Sequence, residues 1–208
     1  DTNPSLLGFG CMRFPKLSED KPDIDEVLAQ KMIDYAYDHG VNYFDTAYPY
    51  HHGLSEIFIG KALKKYPRDS FHLTSKLPSW LIKSTEDAVR IFNEQLEKCQ
   101  VEYFDYYLCH ALSKENFKPY LIPGVMDFLY QMKKEGKIRH LGFSFHDSVE
   151  VLDEIIHTYE WDFVHWTAIH RYFEDSGYYH QCCTWHLYPC RKQRAAWNSF
   201  DQEHFCLI

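Results

Sequence analysis

The run Gly40-Val41-Asn42-Tyr43-Phe44-Asp45-Thr46-Ala47-Tyr48-Pro49-Tyr50 decides the architecture. A glycine suited to ending a helix is followed by a short apolar run that stops at a carboxylate, with a tyrosine five residues later. Downstream, two further apolar runs end in Lys76 and His110. An acid, a tyrosine, a lysine and a histidine at successive strand ends form a proton-transfer site if the strands are parallel. In an α/β barrel the active groups project from the carboxyl ends of the strands.

Outward from this run, segments of strand length alternate with segments of helical period, the pattern of repeated βα units and a parallel sheet. Strands are expected at residues 6–10, 41–45, 71–75, 104–109 and 138–143, with a sixth beginning at 161. Helices are expected at 25–39, 55–65, 85–99, 122–135 and 148–159, the first with Val27, Leu28, Met32, Tyr35 and Ala36 on one face. Gly40 and Gly136 stand where a left-handed C-cap is expected, and Ser55, Thr85 and Ser148 stand at helix starts where a side-chain oxygen can accept orphan N–H groups. The count reaches five complete βα units and the start of a sixth. The fold class is therefore α/β, a (β/α)8 TIM barrel left incomplete at about six strands out of eight. Residues 1–164 form the partial barrel. Residues 165–208 read as a divergent tail of irregular structure, with one glycine, five histidines, three tryptophans and four cysteines.

Composition narrows the partners. The 208 residues, 45% hydrophobic and 17% aromatic, suffice for one sizeable core. With 30 acidic against 22 basic residues and a net charge of -8, the chain repels phosphate backbones, so nucleic acid is an unexpected partner. No apolar stretch reaches bilayer length and no secretory leader opens the sequence, and Asp1 in place of a methionine implies that a short N-terminal piece is missing. Of seven cysteines, Cys11, Cys99 and Cys109 sit inside apolar patterns as small hydrophobes, which fits a cytoplasmic location. Open edges at the first and last strands invite self-association.

Carbonyl reduction needs a proton donor, a means of making that donor acidic, and a hydride source. Tyr50 can give the proton, Lys76 can lower its pKa by favouring the phenolate, and Asp45 can keep Lys76 charged. His110 can donate a hydrogen bond to the substrate oxygen. The hydride would come from a nicotinamide cofactor. Each residue alone has a structural explanation: a loop acid, a packed tyrosine, a surface lysine, a core histidine. Four of them at three consecutive strand ends make chance the weaker account.

These residues also carry a resemblance. The run 40–47, with Ser55-Glu56 and Ile59-Gly60, resembles the signature of the aldo-keto reductase family around its aspartate and tyrosine, and Thr74-Ser75-Lys76 and Leu108-Cys109-His110 resemble its lysine and histidine blocks. Leu7-Gly8-Phe9-Gly10-Cys11-Met12-Arg13, residues 76–80 and residues 141–147 resemble more sharply the branch that often carries a ferredoxin-like iron–sulfur segment. The resemblance spans positions 5–164. It implies an NADPH-dependent oxidoreductase acting on aldehydes or ketones, with Asp45, Tyr50, Lys76 and His110 as the catalytic tetrad and Gly10, Cys11, Met12 and Ser144 beside the nicotinamide. The family's later aromatic strand and its adenosine-phosphate loop have no counterpart here, so NADPH binding and activity are expected to be impaired. The cysteine spacing of an iron–sulfur cluster is absent from this sequence.

His51, His52, His110 and His146 with Asp45 could ligate a divalent metal in a barrel hydrolase, although Lys76 would repel the cation. A non-catalytic fragment or interaction protein is a further alternative. In the tail, Cys182, His186 and Cys190 fall at helical spacing without a C-x2-C pair, a weak zinc signal. An altered reading frame or splice boundary after residue 164 accounts for the tail better.

Overall fold

A computed structural model describes residues 3–18, 21, 23–168 and 184–189. Six parallel strands lie in sequence order: β1 (Gly8–Gly10), β2 (Tyr43–Asp45), β3 (His72–Leu77), β4 (Phe104–Leu112), β5 (Ile138–Phe145) and β6 (Phe163–Ala168). Five helices cross between them: α1 (Glu26–Asp38), α2 (Leu54–Leu63), α3 (Thr85–Cys99), α4 (Val125–Lys134) and α5 (Val149–Thr158). This is the expected βα alternation, a part of the (β/α)8 barrel. A seventh strand, β7 (Thr184–Pro189), pairs antiparallel with β6 in a stretch to which the sequence assigns no element. β6 itself continues past residue 164.

The helices pack on one side of the sheet, and the core lies between. Phe44, Leu73, Tyr107, Leu141 and Phe143 point outward from the strands into it, meeting Phe58, Ile59, Ile91, Phe92 and Leu129 from the helices. Where α2 crosses α3, a Cβ on Gly60 would come within 2.6 Å of the Cys99 carbonyl group, so only glycine permits that approach.

Four local expectations need correction. The apolar face of α1 points away from the sheet: Val27, Leu28, Met32 and Tyr35 are exposed, and the buried stripe is Ala29 and Ile33. Among the described residues α1 ends the row of helices, with α2 as its helical neighbour. Ser55 caps nothing, because α2 starts one residue earlier after Gly53, which is left-handed at φ 90°. Thr85 is already helical; Ser84 is the cap of α3 and accepts the Asp87 N–H, while Ser148 occupies the N-cap of α5 without a side-chain bond. Gly40 and Gly136 take the left-handed conformation, φ 88° and 79°, as expected.

At the amino ends of the strands, Asp105 is buried and accepts from the guanidinium of Arg68 at 2.7 Å, that of Arg139 at 3.0 Å and the Leu73 N–H at 2.9 Å. Both guanidiniums also lie on the Tyr103 ring, 3.9 and 4.0 Å from its centre. This end of a barrel serves stability, and the opposite end carries the candidate site.

Candidate active site

Alternation along the strands sends every second side chain inward. One inward layer is aromatic: Tyr106 stacks on His140 at 4.9 Å and meets Tyr43 and Phe163 edge-on at 5.4 and 5.3 Å. Nearer the carboxyl ends, the same alternation presents Asp45, Lys76, Ser144 and His165 from β2, β3, β5 and β6.

Lys76 is the hub. It is 1% exposed, and its Nζ lies 2.6 and 2.8 Å from the two Asp45 carboxylate oxygens, 2.8 Å from the Thr46 carbonyl oxygen and 3.1 Å from the Tyr50 hydroxyl. Burial alone would lower its pKa. The Asp45 carboxylate and Tyr50 outweigh burial and hold the amine above its ordinary value, fully protonated near neutrality.

The expected acidity of Tyr50 is corrected by the structure. Burial is the largest influence and raises the phenol; Lys76 lowers it and Asp45 raises it, leaving a net value above the ordinary one. In this state Tyr50 holds its proton.

His110 reaches the site through a break in β4. The β4–β5 register shifts between Cys109 and Leu112, and Ala111 sits at φ 51°, a bulge that re-aims the chain. Side chains satisfy its backbone: the His110 N–H donates to the Tyr120 hydroxyl at 3.0 Å and the Ala111 N–H to Ser144 Oγ at 2.7 Å. The imidazole lies between the rings of Trp80 and Tyr50, with centres 5.3 and 6.3 Å away. Its Nδ1 is buried without a hydrogen-bond partner among the described residues. Burial first, then Lys76 and His146, push its pKa down to about 3, so the ring is neutral with one N–H to donate.

The structure thus joins Asp45, Lys76 and Tyr50 directly and places His110 beside Tyr50. Of the residues expected near a nicotinamide, Ser144 belongs to the His110 bulge and Gly10 has open space where a Cβ would stand. Met12 is exposed, but the Cys11 side chain is fully buried with its thiol raised by burial, so only its backbone can face a ligand. The metal constellation does not assemble: Asp45 binds Lys76, His51 accepts the Phe14 N–H, and among the described residues no three His, Cys, Asp or Glu side chains gather. Cys182 and Cys190 lie outside the described residues, as does the side chain of His186.

A second polar cluster escaped the sequence reading. Behind β3, Glu56 is fully buried and accepts from Ser75 Oγ and Gln95 Nε2, both at 2.6 Å; Gln95 also donates to the Lys76 carbonyl oxygen at 3.1 Å and accepts from the Tyr107 hydroxyl. Burial pushes the Glu56 carboxyl above its usual range, against the pull of Ser75 and Gln95. A signal was present: Gln95 interrupts the apolar stripe of α3 between Ile91 and Cys99, four residues from each.

An acid, an amine, a phenol and an imidazole thus gather at the carboxyl ends of the parallel strands of a partial barrel. Residues 6–172 match the Aldo/keto reductase family, and the chain belongs to that family. It is 32% identical over 148 residues to probable aldo-keto reductase 1 of Glycine max, covering 67% of this chain and 41% of that protein. It is 29% identical over 161 residues to the NADH-specific methylglyoxal reductase of Escherichia coli, covering 68% and 48%. The holo form of an aldo-keto reductase from Bacillus halodurans superposes with a TM-score of 0.64 at 27% identity, covering 79% of this chain and 53% of that one. The chain spans about half the length of the relatives it matches. No described helix is long and apolar enough to cross a membrane.

Proposed function

We propose that this site carries the proton-transfer half of an NADPH-dependent reduction of aldehydes or ketones. The observation that carries the reading is the buried Lys76 ammonium shared between Asp45 and the Tyr50 hydroxyl. A bound nicotinamide would supply the hydride. The residues present fit such a group: Ser144 Oγ accepts from Ala111, which leaves its own O–H to donate, and the open space at Gly10 beside the exposed Met12 admits a ring. Tyr50 then gives its proton to the carbonyl oxygen. The Lys76 ammonium stabilises the phenolate this leaves behind, and Asp45 keeps that ammonium charged. Neutral His110 donates its N–H to the same oxygen and fixes the carbonyl's direction, a preorganised donor at the atom that gains charge.

The partial-barrel unit at 1–164 and the tail at 165–208 belong to the same proposal, as does a cytoplasmic setting, which the buried free thiols of Cys11, Cys99 and Cys109 favour. A titration with NADPH and with NADH, followed by nucleotide fluorescence, measures how much cofactor grip this chain keeps; weak binding is expected. In a barrel completed with closing βα units, Tyr50→Phe should lower aldehyde-dependent NADPH oxidation by about 10²–10⁴-fold while cofactor affinity stays within a few-fold. Unchanged turnover would remove Tyr50 as the proton donor.

A further inference from the structure

Directly after Tyr50 the backbone takes a costly course. His51 (φ 49°, ψ 43°) and His52 (φ 54°, ψ 34°) both lie in the left-handed region, and Gly53 follows at φ 90°. L residues with a Cβ avoid this region, and one persists there only where its surroundings over-determine it. For His51 a determinant is visible. Its side chain is nearly buried, its ring lies 5.8 Å from that of Phe14, and its Nε2 accepts the Phe14 backbone N–H at 3.0 Å. An imidazole nitrogen that accepts an N–H carries no proton, so the neutral ring holds its hydrogen on Nδ1.

Phe14 is anchored in turn. It packs edge-on against Phe58 of α2 at 4.9 Å, and it follows the turn Cys11–Arg13 at the end of β1. The same two loops meet again where Ser55 Oγ donates to the Cys11 carbonyl oxygen at 3.1 Å and pairs with Thr46 Oγ1 at 2.9 Å. The loop 46–55 is thus fastened to the β1 turn at two points, at His51 within the left-handed pair and at Ser55 beyond it. Thr46, at its start, also receives the Lys76 ammonium on its carbonyl oxygen. Tyr50 itself is held by its N–H bond to the Ala47 carbonyl, by the Leu54 N–H on its own carbonyl oxygen, and by contacts of its hydroxyl and ring with Lys76 and His110.

We propose that His51 is a positioning residue: latched to the Phe14 amide, its neutral ring holds the left-handed turn that aims the Tyr50 hydroxyl at Lys76. The latch also ties the proton donor to the β1 turn bearing Gly10, Cys11 and Met12. The inference rests on the reading of Tyr50 as proton donor, and His51 acts through Tyr50 without touching the reacting atoms.

The test separates the hydrogen bond from the backbone cost. His51→Gly removes the acceptor and relieves the left-handed penalty, whereas His51→Gln keeps an acceptor near the Nε2 position on a residue that still has a Cβ. The chain is labelled with ¹³C at tyrosine Cζ, and Tyr50→Phe assigns the Tyr50 signal. In His51→Gly the Tyr50 signal should move or split and the Phe14 amide should exchange about fivefold to tenfold faster, as for one lost hydrogen bond. The signals of Tyr107 and Tyr120 in the core should stay in place, and His51→Gln should restore both readouts. An unchanged Tyr50 signal in His51→Gly overturns the proposal, and so does equal movement of all three tyrosines, which would mean a general packing role. Should the latch respond as expected while Tyr50→Phe leaves turnover intact in the completed barrel, the assignment of Tyr50 falls and the latch stands.

Discussion

Replacing Lys76 with methionine isolates the energetics of the hub. Methionine keeps the length of the chain but removes a charge whose Nζ lies within 2.8 Å of both Asp45 oxygens. Asp45 is 3% exposed and takes no other side-chain donor among the described residues, so its carboxylate is stranded in the interior. Removing one partner of a buried ion pair costs about 3–5 kcal/mol, with the Thr46 carbonyl left unpaired as a smaller addition. Converting both partners, Asp45→Asn with Lys76→Met, leaves no buried charge and should lie within about 1–2 kcal/mol of the parent. Urea denaturation followed by tryptophan fluorescence, with the four members of the cycle at pH 7, reads these numbers. The pH dependence supplies an independent sign. In Lys76→Met the folded pKa of Asp45 is raised above its unfolded value of about 3.9, so the folded state binds the extra proton between those two values. The variant should therefore gain stability relative to the parent as pH falls from 7 toward 4, and the gain should be absent when Asp45 is asparagine. A double variant no more stable than Lys76→Met, or a deficit that does not shrink on acidification, would show that Lys76 and Asp45 are not the coupled buried pair described here.

Two further outcomes concern the rest of the molecule. Asp105→Asn should cost about 2–3 kcal/mol at pH 7, since asparagine still accepts from Leu73 but cannot hold both guanidiniums, themselves partly exposed. Burial pushes Asp105 upward, but His72, Arg68 and the Leu73 N–H outweigh it and leave the carboxyl below its usual range; its contribution is present above pH ~4 and lost as pH falls through the folded value, so the cost should fade in acid, as urea midpoints across pH 3–7 would show. The outer edge of β1 has no strand partner among the described residues, and Leu6, Leu7, Leu28, Met32 and Tyr35 are exposed near it in sequence or on α1, so the chain should self-associate; light scattering that gives a monomer at tens of micromolar would refute this.

The alternation of βα units was legible because parallel strands buried on both faces and helices buried on one leave different periods in the sequence. Each of the six parallel strands and five helices appears where the pattern puts it, to within a few residues. The apolar stripe of α1 misled for a physical reason: periodicity shows that a face is apolar, not which neighbour covers it, and Ala29 and Ile33 make the narrower stripe that meets the sheet. Lys76 and Asp45 were readable as strand-end residues. The bulge that turns His110 was not, because it depends on Tyr120 and Ser144, ten and thirty-four residues away, supplying the missing backbone partners. Glu56 escaped for a similar reason, since its partners Ser75 and Gln95 come from β3 and α3.

The raised phenol and the raised amine are consistent with a single arrangement. In the role proposed for Tyr50, a proton donor must hold its proton until the oxygen of a carbonyl begins to gain charge, and burial shifts the phenol in that direction. The ammonium 3.1 Å from the hydroxyl acts on the phenolate and barely on the phenol, so its benefit is realised as the proton departs. That division requires Lys76 to remain charged in a site that excludes water, and Asp45, buried beside it, is the group that makes a charged amine affordable there. Neutral His110 completes the balance: a second positive charge against Lys76 would weaken both, and burial keeps the imidazole uncharged through the whole neutral range.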